Sequence, residues 1–357
     1  MSIFTSRDFD GHEAVHGFHD RKSGLKGFIA IHSTALGPGF GGCRMWTYES
    51  EDDAIADALR LSRGMSYKNA LAGLAYGGGK AVIMGDPRKD KTPELFEAFG
   101  RAVDRLGGAY VTAEDVGVSV QDMMAASRTT KFVSGISGKT NGFSGGDPSP
   151  RTALGVFEGL RAATRIGLDR DVEGLTVAVQ GLGSVGYTLA TLLHDAGAKL
   201  IVADLSDDAL KRAHRDFGAE VVMPRDILSA DADILAPCAL GGVLNAKSIP
   251  HLKAKVVAGA ANNQLATSKD GETLMKHGIT YAPDYVINAG GIISVAAEYE
   301  GASSEAEVQA QINEIGPRTQ SLLEEAKRTG RPAAEIADER ARALIGHGPA
   351  ERAIAAE

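Results

Sequence analysis

The chain has 357 residues, of which 43% are hydrophobic and 24% charged, and its formal net charge is −8 at pH 7. That length exceeds what one hydrophobic core usually organises, so two domains are expected. The acidic balance argues against a nucleic-acid binder and leaves capture of a small anionic substrate to local cations. Cys43 and Cys238 form no CxxC pattern, which argues against a disulfide framework or a cysteine zinc site and for a reducing cytoplasm. No apolar run reaches signal-peptide or membrane-span length, so no membrane partner is expected.

Two short strands come first. One alternates through Ala14, His16 and Phe18, the other covers residues 25–31, and Asp20, Ser23 and Gly24 supply the turn chemistry between them. Ser50 with Asp53 is an acidic capping-box variant, and Ile55, Leu59, Leu61 and Met65 predict the apolar stripe of a helix. The helix is expected to break in the glycine-rich run 74–80, before a strand over 81–84. A helix over 93–106 and a strand over 110–112 follow. Residues 134–150 are rich in Gly, Ser, Asp and Pro and read as a loop or hinge. Beyond it, strands at 177–180, 200–204, 234–237, 256–259 and 279–282 alternate with helical segments, the pattern of a parallel sheet with crossover helices. A charged, helical tail begins near residue 313.

The first of these later strands runs into Gly181-Leu182-Gly183-Ser184-Val185-Gly186, and a helix and an acid-terminated strand follow. In that context Gly181 permits the tight turn, Gly183 lets the backbone approach a pyrophosphate and Gly186 lets the helix pack on the strand. The helix N-terminus faces the phosphates. Asp204 can accept hydrogen bonds from the adenosine ribose and repels a 2′-phosphate, which favours NAD over NADP.

Before the hinge, Lys68 follows Gly64-Met65-Ser66-Tyr67, Lys80 follows three glycines, and Asp115 lies in Glu114-Asp115-Val116-Gly117 at a strand end. At an assumed ~6 Å and an effective dielectric of ~20, two ammonium groups repel by roughly 3 kcal/mol, which favours a neutral amine on one of them. Lys80 is then a candidate general base. Spacing alone leaves two solvated surface lysines as an open alternative. His12-Glu13-Ala14-Val15-His16 matches HExxH but sits in a strand-like stretch, where residues four apart are ~13 Å apart and cannot share one zinc. The reading is an edge strand with exposed histidines and no metal. Cys238 suits a small apolar position at a strand end.

The runs GGCRMWTYES, DALRLSRGMSYKNALAGLAYGGGKAVIMGDPRKDK, TAEDVG, APCALGG, AGAANNQL and YAPDYVINAGGI closely resemble the glutamate/leucine/phenylalanine/valine dehydrogenase family, with its leucine-type branch nearest. The resemblance spans roughly residues 25–300. It implies a two-domain α/β fold, a mostly parallel substrate domain and a Rossmann-type nucleotide domain with a cleft between them. Residues 1–136, completed by 320–357, would be the substrate domain, 137–149 the hinge and 150–319 the NAD-binding domain. It also implies that Lys68 pairs with the substrate carboxylate, that Lys80 activates the water attacking C2, and that Asp115 exchanges protons with the substrate nitrogen. Gly42 and Asn262 would contact the carboxylate and amino group, and Phe40, Met65, Ala113, Ile292 and Val295 would line the substrate site. Thr152, Cys238, Ala239, Ala260, Asn262 and Asn288 would lie along the nucleotide.

Phe40, Asp147 and Ile292 stand where the leucine-type pattern has Leu, Asn and Val, and the tail is shorter. The implied activity is reversible oxidative deamination of an apolar, branched L-amino acid to its 2-oxo acid and ammonia by a homo-oligomer. Phenylalanine, glutamate and a non-catalytic NAD-binding role are the alternatives. For glutamate, Phe40 offers no cation to its distal carboxylate.

Overall fold

The structure, a computed structural model, describes residues 3–136, 147–301 and 303–346. Two compact units make up the chain: unit 1 holds residues 1–146, 295–305 and 340–357, and unit 2 holds 147–294 and 306–339. Of the expected hinge, residues 137–146 lie outside the described residues.

Unit 1 is built on β1 (Ala14–Asp20), β2 (Leu25–Ser33), β3 (Gly39–Trp46), β4 (Gly77–Met84) and β5 (Tyr110–Glu114), in the order β1-β2-β4-β3-β5. β1 and β4 pair antiparallel with β2, and β3 pairs parallel with β4 and β5, so only β2 opposes the rest. The helices are α1 (Glu51–Leu71), α2 (Pro93–Asp104) and α3 (Val120–Ala126). Each begins on a hydroxyl cap that accepts from a backbone N–H inside the first turn: Ser50 from Asp53, Thr92 from Leu95, Ser119 from Asp122. On α2, Phe96 and Phe99 are fully buried against Ile29, Met45, Ile83 and Tyr110. Burying each such ring stabilises the unit by roughly 2–3 kcal/mol.

Two local expectations change here. The glycines 77–79 lie inside β4, not in a break before it. The buried positions of α1 include the small Ala54, Ala58, Ser62 and Ser66; of the expected stripe Leu59 is buried, whereas Ile55, Leu61 and Met65 are only partly so. One cause explains both, since the two backbones touch. A Cβ on Gly78 would lie 2.1 Å from the Ser66 nitrogen and 2.2 Å from its Oγ. Small residues on the helix and none on the strand permit that approach.

Unit 2 carries an all-parallel sheet of β6 (Thr176–Gln180), β7 (Lys199–Ala203), β8 (Glu220–Val221), β9 (Ile234–Pro237), β10 (Val256–Val257) and β11 (Thr280–Tyr281). Its order is β11-β10-β9-β6-β7-β8, the doubly wound arrangement whose direction of winding reverses between β6 and β9. Its helices are α4 (Ser149–Leu168), α5 (Ser184–Asp195), α6 (Asp207–Phe217), α7 (Ser268–Lys276) and α8 (Asp284–Ile287), followed by α9 (Gly290–Glu300), α10 (Glu305–Asn313), α11 (Ile315–Thr329) and α12 (Ala333–Leu344). The division between the units falls within α9, α10 and α12.

The C-terminal segment divides differently from the expectation that 320–357 completes the first domain. α11 belongs to unit 2 because glycines of α4 receive it: a Cβ on Gly155 would meet Ile315 Cδ1 at 2.7 Å, and one on Gly159 would meet Thr319 Oγ1 at 3.4 Å. Residues 295–305 join unit 1 instead, as does the chain from 340 onward, where Arg342 donates to both oxygens of Asp10 at 2.7 and 2.9 Å.

Candidate active site

The middles of β3 and β4 and the end of β5 bring the chemical residues of unit 1 together. Lys80 leaves β4 next to the glycine run and is 5% exposed. Its Nζ lies 2.9 Å from Oδ2 of Asp115, the residue just after β5. Gly42 is what lets the two strands close on this pair, because a Cβ there would sit 2.7 Å from the Glu114 carbonyl oxygen and 2.9 Å from Asp115 Cβ. The Gly41–Gly42 backbone is held from below by the buried Tyr110 hydroxyl, which donates at 3.0 Å toward each carbonyl. Asn69 of α1 clamps the neighbouring strands, donating to Phe40 O at 3.1 Å and Gly77 O at 2.6 Å. Lys68 precedes it in the last helical turn, half-buried, and Met65 lies one turn earlier against Gly41.

Asp115 is tuned by opposing effects. Burial pushes its carboxyl up, but Lys80 and Arg44 pull it down further, helped by hydrogen bonds from Lys80 and the Val116 N–H, and it settles at about 2. It is a carboxylate at any working pH. Such a pair can hand a proton between an amine and a carboxylate at hydrogen-bond distance.

Phe40 is fully buried, its ring centroid 4.9 Å from that of Tyr76 and 5.9 Å from that of Tyr299. The Tyr76 hydroxyl bonds Glu300. Ala113 on β5 is nearly buried, and Val295 of α9 is fixed by its carbonyl, which accepts from Ser134 Oγ at 2.7 Å.

In unit 2 the glycine turn has the geometry a dinucleotide needs. Gly181 takes φ +93°, a conformation that favours glycine. A Cβ on Gly186 would strike the Gly181 carbonyl oxygen at 2.0 Å, and Gly183 has nothing within 4 Å of where a Cβ would stand. Gly183 is exposed at the start of α5 and gives that helix no side-chain cap, so the N-terminal N–H groups of Ser184 and Val185 open toward that space. Asp204 accepts from the Leu182 N–H at 2.6 Å and the Ser206 N–H at 2.8 Å, which fixes its carboxylate beside the turn. These residues fit a dinucleotide. Asn288 donates to Asn262 Oδ1 at 2.9 Å and to Ala260 O at 3.1 Å. Cys238, beside Ala239, has its thiol pushed up to about 12 by burial, the Ala260 backbone only partly opposing this, so it is no nucleophile. Thr152 stands in the first turn of α4 next to Gly291, and Ile292 is one residue on, partly buried.

Each set of site residues therefore gathers within its own unit, Asn262 and Ile292 with the nucleotide set. Sequence reasoning missed Arg44, Asp57, Asn69, Tyr76, Tyr110 and Tyr299. For Arg44 a signal existed: it is two residues from Gly42 on β3, hence on the same face. His12 departs from the exposed edge strand expected of it. It precedes β1, is 7% exposed and bonds the Leu59 carbonyl at 2.9 Å, while His16 is exposed in the strand.

A lysine–aspartate pair in one α/β unit and a dinucleotide turn in a doubly wound second unit are the parts a dinucleotide-dependent dehydrogenase needs. The description Glu/Leu/Phe/Val dehydrogenase, dimerisation domain, matches residues 12–132, and Glutamate/Leucine/Phenylalanine/Valine dehydrogenase matches 205–343. Leucine dehydrogenase of Bacillus subtilis (strain 168) is 51% identical over 339 residues, covering 95% of this chain and 92% of that one. Valine dehydrogenase of Streptomyces virginiae is 47% identical and covers 93% of each chain. The crystal structure of L-tryptophan dehydrogenase from Nostoc punctiforme superposes with a TM-score of 0.82 at 43% identity, covering 94% of this chain and 96% of that one. The chain belongs to the glutamate/leucine/phenylalanine/valine dehydrogenase family of amino-acid dehydrogenases.

Proposed function

We propose that the chain oxidises branched aliphatic L-amino acids with NAD, releasing the 2-oxo acid and ammonia, as a homo-oligomer in a reducing cytoplasm. The observation that carries the chemistry is the buried Lys80–Asp115 contact at 2.9 Å. In this reading the ionised Asp115 takes a proton from the substrate ammonium, and Lys80 activates the water that attacks C2. Lys68 faces the substrate carboxylate, and by resemblance the Gly42 backbone contacts that carboxylate and Asn262 the amino group. NAD, when bound, accepts the hydride from the substrate carbon. The residues that would hold it are 181–186, Asp204, Thr152, Cys238, Ala239, Ala260, Asn262 and Asn288.

The apolar Phe40, Ala113 and Val295 favour an apolar side chain, with Ile292 assigned there by resemblance. Phe40 is braced by Tyr76 and Tyr299, so its ring is not free to swing aside and admit an aromatic substrate. The test is NADH formation at alkaline pH against the twenty L-amino acids. Leucine, valine and isoleucine should lead, and a clear preference for phenylalanine, or no NADH with any amino acid, overturns the reading. With the best substrate, NAD should exceed NADP by at least about tenfold in kcat/KM, and equal use of the two overturns the Asp204 assignment.

A further inference from the structure

Behind the Lys80–Asp115 pair runs a second line of charge that the reaction, as read above, does not use. Arg44 projects from β3 and bridges two carboxylates. Its Nε donates to Asp115 Oδ2 at 3.1 Å and its Nη1 to Asp57 Oδ2 at 3.0 Å. Asp57, on α1, is itself held from both sides. Tyr48 donates its hydroxyl to the same Oδ2 at 2.8 Å, and Arg60 reaches Oδ1 at 2.7 Å. The bridge is shielded, with the side chains of Arg44 and Asp115 each 22% exposed and that of Asp57 11%.

The geometry has a direct consequence for Asp115. Oδ2 receives both Lys80 Nζ and Arg44 Nε, so the carboxylate cannot rotate without breaking two charge-assisted bonds. A planar guanidinium with two fixed anchors sets the orientation of a carboxylate far better than a flexible ammonium does. Asp57 in turn keeps Arg44 from swinging to solvent. The chain of contacts ties three elements, β3, α1 and the end of β5, to one reacting oxygen.

We propose that Arg44, anchored by Asp57 and Tyr48, is the positioning residue that aims Asp115 at Lys80. The proposal rests on the reading of Asp115 as the group that exchanges a proton with the substrate. The titratable groups around Asp115 are Lys80 from β4, Arg44 and Cys43 from β3, Tyr48 ahead of α1, and Tyr110 from β5. Of these only Lys80 and Arg44 are cations in contact with it. Removing Arg44 thus halves the positive charge that holds the carboxylate, without touching the substrate's own contacts.

The test compares wild type with R44M, R44K and D57N. R44M should lower kcat by about a hundredfold while KM for the amino acid changes less than about threefold, because orientation is lost and ground-state binding is kept. The titration of Asp115 itself, followed through the NMR signal of its carboxyl carbon, should move up by about one pH unit, since a neighbouring cation within contact is worth about that much or more. R44K should recover part of both, and D57N, which leaves Arg44 in place with its outer anchor gone, should lose about tenfold in kcat. NADH binding, read by fluorescence, should be unchanged in all three.

A crystal structure of R44M gives an answer that does not depend on which amino acid is oxidised. It should show the Asp115 carboxylate turned away from Lys80. An R44M enzyme with wild-type kcat and an unmoved Asp115 titration, or with Asp115 still 2.9 Å from Lys80, overturns the proposal. Failure of the wild type to form NADH with any amino acid overturns the functional reading alone, and the crystal structure then decides the placement of Asp115.

Discussion

Asp115 carries two cations against its single oxygen Oδ2, and that arrangement has a measurable stability signature. Its carboxyl falls from the usual 3.8 to about 2, so the folded state holds its proton more weakly than the unfolded chain does. The contribution is present in full above about pH 4 and is lost as pH falls through about 2. By linkage it amounts to roughly 2 kcal/mol. Acid unfolding of D115N should be correspondingly flatter between pH 4 and 2, followed by circular dichroism on the same buffers as the wild type. At the same scale the two lysines should separate. Lys80→Ala should depress kcat severely with NAD binding intact, whereas Lys68→Ala should act mainly on KM for the amino acid. Steady-state kinetics with the best substrate distinguishes these, and near-wild-type turnover in Lys80→Ala contradicts the role given to it. The lysines and Asp115 were legible in the sequence through the family resemblance, since spacing alone leaves the two lysines open as solvated surface groups. Arg44 and Asp57 were not, since the bridge is made by tertiary pairing of β3 with α1 and β5, and no spacing along the chain encodes it.

At the scale of elements, two glycines separate fold from function. Gly78 lies under α1 with the Ser66 backbone 2.1 Å from a would-be Cβ, while Gly183 has nothing within 4 Å. Gly78→Ala should therefore force α1 off β4, lowering stability by about 1–3 kcal/mol as overpacking does, and raising KM because Lys68 and Asn69 ride on that helix. Gly183→Ala should melt like the wild type yet bind NADH at least about tenfold more weakly, since the methyl stands where the pyrophosphate approaches. Thermal melts and NADH titrations of both variants check the pair. The same comparison explains which elements could be read in advance. Unit 2 has strands separated by helices and a turn motif in its required context, so five of its strands were placed from sequence and only β8 (Glu220–Val221), a two-residue exposed strand, escaped. In unit 1 the glycines were taken for a break because glycine disfavours regular structure in isolation. Their reason lies across the sheet, in the helix that needs their missing side chains.

For the molecule as a whole, the informative feature is how unit 1 is assembled from three pieces of chain. Its last piece is held by Arg342, which donates to both oxygens of Asp10 and to the Tyr67 hydroxyl at 3.0 Å, with 13% of its side chain exposed. Breaking such a shielded pair by removing one partner costs about 3–5 kcal/mol. Arg342→Ala should lower the melting temperature and split a single calorimetric transition in two, with unit 1 melting first; an unchanged, single transition contradicts this. The C-terminal helices were legible as helices, but an amphipathic face does not say which core will receive it. That is why α11 was assigned to the wrong unit.

The same three-piece construction dictates an order of events on the ribosome. Unit 2 has nearly all its sheet by residue 281, where β11 ends, whereas Asp10 waits for a partner at residue 342. The first 146 residues of the nascent chain thus emerge before the segments 295–305 and 340 onward that share their unit. Domains usually mature in the order they are translated. Here the two units finish almost together: unit 2 takes in the chain through residue 339, and the Arg342 partner of Asp10 follows three residues later.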